Sequence, residues 1–122
     1  MSVKILTVDD AIYMRTMLKN ILNGEGYEIC EAGDGEAGIA AYEAEQPDLV
    51  LMDITMPGMD GITATKTILE NHPAAKVVIC SALGQQQLVL DAVKAGASEY
   101  VVKPFEADEV LAVVKRVLAQ AA

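Results

Sequence analysis

Side chains able to carry out chemistry stand directly after apolar runs at four places along the chain. The runs that end at Val8, Met52, Cys80 and Val102 are followed by Asp9-Asp10, Asp53, Ser81 and Lys103. Carboxylates gathered at one spot would raise one another's cost of ionisation, because like charges repel. A hard divalent cation relieves this repulsion, and Mg²⁺ needs only one or two protein carboxylates because it keeps several waters. A backbone carbonyl just past Asp53 could add a further ligand.

The non-acidic residues at these positions suit a phosphoryl group. Ser81 offers a hydroxyl donor and Lys103 a compact positive charge. Together with a metal ion and one carboxylate, they match the needs of phosphoryl transfer, in which negative charge on the phosphoryl oxygens must be positioned and stabilised. Asp53 would attack the phosphorus to give an acyl phosphate, and a carboxylate needs no general base for this.

The elements that must position these residues follow an alternating pattern. Short runs rich in Val, Ile and Leu predict strands at 3–8, 27–30, 48–52, 76–80 and 100–102. The segments between them have helical periodicity, as in Met14, Met17, Leu18, Ile21 and Leu22, or in Val110, Val113, Val114, Val117 and Leu118. Asp34 and Asp60 are placed to cap two of the helices, and another is expected over 84–95.

Five strand–helix pairs predict an α/β fold: a (βα)5 doubly wound, flavodoxin-like three-layer sandwich with parallel strand order 2-1-3-4-5. Ligands of such sheets bind beyond the carboxyl ends of the strands, where the residues above would meet. The edge strand is followed by Glu31-Ala32-Gly33, to which we assign no role. We expect one domain over residues 1–122, with the last helix running to the C-terminus and no second domain attached.

Composition excludes several classes of partner. The net charge of −9 disfavours nucleic acid and anionic membrane surfaces, which require clustered Lys and Arg. No apolar run approaches the roughly 20 residues of a membrane helix, and the start is too short for a signal peptide. Cys30 and Cys80 form no CxxC pair, which favours reduced thiols. A cytoplasmic location is expected.

Ordinary structural roles remain open for the same residues. Asp10 could be the N-cap of the helix that follows it, because Asp is a preferred cap residue. Asp53 could be an acid in a loop, and Tyr100 a half-buried strand aromatic. The coincidence of Ser81 and Lys103 at further strand ends favours a shared site.

The ordered motifs are similar to those of the response-regulator receiver family over essentially the whole chain. They are Asp9-Asp10, Asp53 followed by Met56-Pro57-Gly58-Met59-Asp60-Gly61, Ser81-Ala82 and Lys103-Pro104-Phe105. The segments 9–15 and 80–86 resemble most closely the family's single-domain chemotaxis regulators. This family is a known example of the strand order 2-1-3-4-5.

The resemblance implies a role for each site residue. Asp53 is similar to the phosphoacceptor, and Asp10 and Asp53 to direct Mg²⁺ ligands, with Asp9 acting through water and the Thr55 main-chain carbonyl completing the set. Lys103 resembles the lysine that contacts the phosphoryl group, and its bond to Pro104 is expected to be cis. Ser81 and Tyr100 resemble the switch pair that reshapes the surface formed by the fourth helix, fifth strand and fifth helix.

The implied function is that of a phosphoacceptor signalling protein, which is not an enzyme acting on outside substrates. The implied partners are a chemotaxis histidine kinase, a flagellar motor switch protein and an aspartyl-phosphate phosphatase, with the chain a monomer. A phosphorelay intermediate and an isolated receiver of a larger regulator are alternatives.

Other classes of protein fit less well. A haloacid-dehalogenase-type phosphatase would need an Asp where Thr55 stands, an FMN carrier would not place Asp9-Asp10 beside phosphate, and a P-loop motif is missing.

Overall fold

The structure, a computed structural model, describes residues 2–120, in which five strands alternate with five helices. The elements are β1 (Lys4–Val8), α1 (Ile12–Asn23), β2 (Glu28–Ala32), α2 (Gly35–Glu45), β3 (Leu49–Asp53), α3 (Gly61–Asn71), β4 (Val77–Ser81), α4 (Gln86–Lys94), β5 (Glu99–Val102) and α5 (Ala107–Leu118). The predicted domain of residues 1–122 and the predicted end of its last helix extend beyond the described residues, and α5 itself ends at Leu118.

The strands form one parallel sheet in the order β2-β1-β3-β4-β5, which confirms the predicted topology. β1 and β3 are neighbours at the centre, with Val8 opposite Met52. β3 and β4 are also neighbours, with Asp53 opposite Cys80. The carboxyl ends of all these strands therefore lie along the same edge of the sheet.

Two apolar cores hold the helices against the two faces of the sheet. Every residue of β3 and β4 is buried, and alternate side chains of a strand point to opposite faces. Val50 and Met52 pack in the core shared with α2, α3 and α4. Leu49 and Leu51 pack in the core shared with α1 and α5. Burial on both faces is the reason that these strands consist of continuous apolar runs.

Some strand boundaries differ from the predicted ones. Asp53 and Ser81 are the last residues of β3 and β4, where the sequence suggested the first residues after each strand. β2 runs to Ala32 instead of ending at residue 30. β2 is an edge strand, so the exposed Glu28 and Glu31 can belong to it without being buried.

The predicted caps of α2 and α3 are confirmed. Asp34 accepts a hydrogen bond from the Ala37 N–H at 2.7 Å, and Asp60 accepts one from the Thr63 N–H at 2.8 Å. Each bond satisfies one of the backbone donors that a helix leaves unpaired at its N-terminus.

The starts of α1 and α4 differ from expectation. The N-cap of α1 is Ala11, so the alternative that Asp10 is the N-cap is wrong. α4 begins at Gln86 and not at Gly84, because Gly84 has a φ of 87°, a left-handed conformation that a right-handed helix cannot include. The longest described helices have 12 residues, and no helix within residues 2–120 could cross a bilayer.

Candidate functional site

The parallel sheet brings three carboxylates together at the ends of β1 and β3. Oxygen atoms of Asp9, Asp10 and Asp53 all lie within 4.8 Å of one another. Asp9 and Asp53 are buried, with 2% and 6% of their surfaces exposed, whereas Asp10 is exposed. The cluster follows from the topology, because Asp9 continues β1 beyond Val8 and Asp53 ends the neighbouring strand β3.

Lys103 reaches this cluster from the end of β5. Its Nζ donates to Asp9 Oδ2 and to Asp53 Oδ1, each at 3.0 Å. Its backbone N–H donates to the Ser81 carbonyl at 2.7 Å, which ties the segment after β5 to the end of β4. The peptide bond between Lys103 and Pro104 is cis. One ammonium group therefore bridges the two buried carboxylates.

The electrostatics of the cluster favour the charged form of Lys103 and disfavour the charged form of Asp53. Burial raises the pKa of Asp53 above its ordinary value, and the charges of Asp9 and Asp10 act in the same direction, against the Lys103 hydrogen bond. Burial alone would lower the pKa of Lys103, but its hydrogen bonds to Asp9 and Asp53 outweigh this and raise that pKa. A single ammonium thus leaves the carboxylates incompletely neutralised.

The donor set fits a hard divalent cation. Both oxygens of Asp9 already accept hydrogen bonds, one from Lys103 and the other from the Ala11 N–H at 2.9 Å. Among residues 2–120, no protein donor bonds the second oxygen of Asp53 or either oxygen of Asp10. Such oxygens are the ligands that Mg²⁺ prefers. The cluster could therefore bind a metal through Asp10 and Asp53, with Asp9 engaged by the protein.

Ser81 ends β4, and Tyr100 is the second residue of the neighbouring strand β5. The Ser81 side chain is almost fully buried, and its hydroxyl lies 3.4 Å from the Val101 carbonyl oxygen. This distance is well beyond the usual O–H···O length, so the hydroxyl is only weakly held. Tyr100 is 48% exposed and, with Ser81, lines a groove of about 480 Å³ beside α4.

Gly61 allows the start of α3 to pack directly on the end of β3. Its N–H donates to the Ile54 carbonyl at 2.8 Å. A Cβ atom built on Gly61 would lie 1.9 Å from the Asp53 carbonyl oxygen. A glycine is therefore required here by the close approach of two backbones. The sequence motif contained this residue, but its contact with the Asp53 backbone appears only in the structure.

Arg15 and Glu31 support the cluster from α1 and β2, and sequence reasoning missed both. Arg15 Nη1 donates to the Asp9 carbonyl at 2.6 Å, and its Nε donates to Glu31 Oε1 at 3.0 Å. Glu31, to which we assigned no role, thus orients the arginine that holds the Asp9 backbone. The available signal was the opposite charge of Arg15 and Glu31. Their pairing could not be predicted from the sequence, because it depends on β1 and β2 being neighbours in the sheet.

Gln85 is a third supporting residue that the sequence did not reveal. Its side-chain carbonyl accepts from the Ala82 N–H at 2.7 Å, and its Nε2 donates to the Thr55 hydroxyl at 2.9 Å. Gln85 thereby links the Thr55 side chain to the loop that follows β4.

Comparisons with known proteins indicate one and the same family. A model of the response regulator receiver domain matches residues 5–115. The chain is 50% identical over 119 residues to the chemotaxis protein CheY of Bacillus subtilis, covering 97% of this chain and 99% of that protein. It is 36% identical over 118 residues to sporulation initiation phosphotransferase F of the same species, covering 97% and 95%.

A solved structure agrees with these sequence matches. A chain in the crystal structure of the CheX-CheY-BeF3-Mg+2 complex from Borrelia burgdorferi has a TM-score of 0.91 and 39% identity, covering 97% of this chain and 90% of that one. The sheet order, the acidic cluster at its edge and a match that spans nearly the whole chain lead to one conclusion: the chain belongs to the response regulator receiver domain family.

Proposed function

We propose that this chain is a single-domain two-component response regulator, phosphorylated on Asp53 by a histidine kinase with Mg²⁺ bound. The observation that carries the proposal is the state of the Asp53 carboxylate. It is buried, one oxygen accepts from Lys103, and no donor within residues 2–120 bonds the other oxygen. Its unused lone pairs are available to Mg²⁺ and for the attack on phosphorus.

The proposed reaction is a transfer between a phosphohistidine and Asp53. An Asp53 oxygen uses a lone pair to form the new O–P bond, the P–N bond breaks, and the histidine nitrogen retains that electron pair. Asp10, Asp53 and the Thr55 main-chain carbonyl would hold Mg²⁺, with Asp9 acting through water. The cation supplies electrostatic stabilisation of the phosphoryl oxygens. Lys103 positions Asp53 beforehand and contacts the phosphoryl group afterwards.

The proposed switch uses Ser81 and Tyr100. The Ser81 hydroxyl is weakly bonded to the Val101 carbonyl, so a phosphoryl oxygen with greater negative charge can attract it. The space that Ser81 vacates lies beside the groove that Tyr100 lines. Tyr100 then turns inward and changes the surface formed by α4, β5 and α5.

We propose that this surface signals in chemotaxis by binding a flagellar motor switch protein. Support comes from the CheY of Bacillus subtilis, with 50% identity over 97% of this chain. The protein would act in the cytoplasm as a monomer, receive its phosphoryl group from a chemotaxis histidine kinase, and meet an aspartyl-phosphate phosphatase as a further partner. It would assist its own phosphorylation and dephosphorylation without acting on outside substrates.

A phosphorelay intermediate is the second candidate. The 36% identity with sporulation initiation phosphotransferase F over 97% of this chain supports it. Tighter binding of a motor-switch peptide to the phosphorylated protein favours chemotaxis. Efficient onward transfer to a histidine phosphotransfer domain, without any such difference in peptide binding, favours the relay.

Phosphorylation of Asp53 can be tested with acetyl phosphate. With Mg²⁺, the wild-type protein should gain one hydroxylamine-labile phosphoryl group, detectable by intact-protein mass spectrometry. Asp53→Asn should gain none, because an amide is a poor nucleophile. Glu70→Gln, a matched change at an exposed acid of α3, should behave as the wild type. Equal incorporation in Asp53→Asn would disprove the assignment.

A further inference from the structure

The Gln85 carboxamide links the two loops that leave the ends of β3 and β4. Its carbonyl oxygen accepts from the Ala82 N–H at 2.7 Å, and its Nε2 donates to Thr55 Oγ1 at 2.9 Å. Ala82 directly follows Ser81, and Thr55 lies two residues after Asp53. One side chain therefore connects the segments that follow two of the proposed functional residues.

This link lies where backbone pairing between the strands stops. The Ile54 N–H donates to the Cys80 carbonyl at 3.2 Å, immediately after the pair Asp53 and Cys80. Beyond this bond, no further backbone hydrogen bond joins the two segments within residues 2–120. The Gln85 side chain spans the gap that opens there, at the edge of the sheet that carries the acidic cluster.

Gln85 makes this link instead of serving its own helix. It is the N-cap residue of α4, and its side chain makes no capping hydrogen bond. Side chains at this position usually accept from a backbone N–H in the first turn of the helix. The Gln85 oxygen instead accepts from Ala82, a residue that precedes the helix. The arrangement keeps the Ala82 N–H occupied.

We propose that Gln85 is a positioning residue that holds the loop between β4 and α4 in its unphosphorylated arrangement. By tying Ala82, the residue after Ser81, to Thr55, it restrains the segment that must shift when the Ser81 hydroxyl moves to a phosphoryl group on Asp53. This inference rests on the proposed function of Asp53. A charged acceptor forms a hydrogen bond roughly twice as strong as a neutral one, so the phosphoryl group still attracts the Ser81 hydroxyl, but the shift must overcome the bond between Gln85 and Ala82.

Removal of the Gln85 carboxamide should therefore favour the phosphorylated form. Beryllofluoride, a mimic of the phosphoryl group, provides a stable probe in the presence of Mg²⁺. For Gln85→Leu, the dissociation constant of beryllofluoride should fall about two- to tenfold, the equivalent of one net hydrogen bond. Gln85→Asn is one methylene shorter and cannot span both partners, so its dissociation constant should also fall.

The matched control is Gln86→Leu, at the exposed glutamine next along the chain. Within the described residues no side-chain hydrogen bond involves Gln86, so its substitution should leave the dissociation constant within twofold of the wild type. Thr55→Val removes the second partner and should weaken the hold of Gln85 on Ala82. The double variant with Gln85→Leu should then bind no more tightly than Gln85→Leu alone.

An independent measurement tests the bond without any phosphoryl chemistry. Amide hydrogen exchange of Ala82 in the unliganded protein should be faster in Gln85→Leu than in the wild type and Gln86→Leu. If the wild type binds beryllofluoride but Gln85→Leu binds it equally or more weakly, the role of Gln85 is wrong. If the wild type fails to bind beryllofluoride with Mg²⁺, the proposed function of Asp53 fails instead.

Discussion

The Asp53 carboxylate is held in a folded environment that disfavours its own charge. Burial raises its pKa, and the repulsion of Asp9 and Asp10 adds to this effect. Lys103 opposes both but must divide its ammonium group between Asp53 and Asp9. Such local conflict is common at functional sites, where stability is exchanged for reactivity. Without a bound cation, the ionised Asp53 carboxylate should therefore lower the free energy of unfolding.

Asp53→Asn should raise the free energy of unfolding at pH 7 without Mg²⁺, by about 1 kcal/mol. The folded-state pKa of Asp53 lies above the unfolded value, so the folded state retains the proton longer as pH rises. Ionised Asp53 therefore lowers stability progressively as pH rises from the unfolded pKa through the folded one. The gain from the substitution should shrink as pH falls through that window, measured by urea unfolding.

The control for this prediction is again Glu70→Gln, whose exposed carboxylate lies on α3. Its effect on the free energy of unfolding should be small and should not follow the same pH window. A lower stability of Asp53→Asn at pH 7 would contradict the electrostatic account of the cluster.

The elements of this fold were largely predictable because burial and strand composition coincide. All residues of β3 and β4 are buried, and their apolar runs identified both strands. β2 was less well predicted, since an edge strand can contain the exposed Glu31 and still pair with β1. The caps of α2 and α3 were predictable because their bonds join residues three apart in sequence.

The site was only partly predictable, for a physical reason. The meeting of Asp9 and Asp53 follows from the strand order, because β1 and β3 are neighbours, whereas Lys103 follows β5 and must reach past β4. The contacts of Arg15 and Gln85 depend on the directions that their side chains take between separate elements. No sequence spacing encodes such directions, so these supporting residues emerge only from the structure.

β3 and α3 meet at a close backbone contact near the site, and Gly61→Ala should destabilise this junction. The added Cβ would lie 1.9 Å from the Asp53 carbonyl oxygen, so backbone must move. The expected loss is about 1–3 kcal/mol in the free energy of unfolding, as for other overpacked positions. Acetyl phosphate should also label the variant more slowly, because the shift displaces Asp53.

Gly24→Ala provides the matched control for that substitution. Gly24 follows α1 with a φ of −62°, and a Cβ atom there would have nothing within 4 Å. Alanine adopts this conformation easily, so stability should be unchanged or slightly higher, and the rate of labelling unchanged. Equal losses at Gly24 and Gly61 would show that the contact with Asp53 has no special effect.

The molecule as a whole is acidic, with a net charge of −9, and concentrates three acids at one edge. Divalent cation binding should therefore stabilise it markedly. Mg²⁺ at one hundred times its dissociation constant should raise the free energy of unfolding by about 2.7 kcal/mol, and EDTA should reverse this. Thermal unfolding at constant ionic strength measures the effect.

The same measurement distinguishes a specific site from general screening. Asp10→Asn removes a proposed ligand and should reduce the Mg²⁺ effect, whereas Glu70→Gln should not. Metal binding requires ionised carboxylates, so the effect should also weaken as pH falls through the raised pKa of Asp53. Equal stabilisation of every variant by Mg²⁺ would argue against a metal at this cluster.

Ser81 belongs both to the end of β4, next to the acidic cluster, and to the groove that Tyr100 lines. In the proposed switch, Ser81 alone therefore connects the phosphorylation of Asp53 with the surface around Tyr100. Neither apolar core has to be rearranged. Loop and side-chain motions of this kind take nanoseconds to milliseconds, far less than the time needed for unfolding. The duration of a signal would then be set by the rate at which the acyl phosphate is hydrolysed.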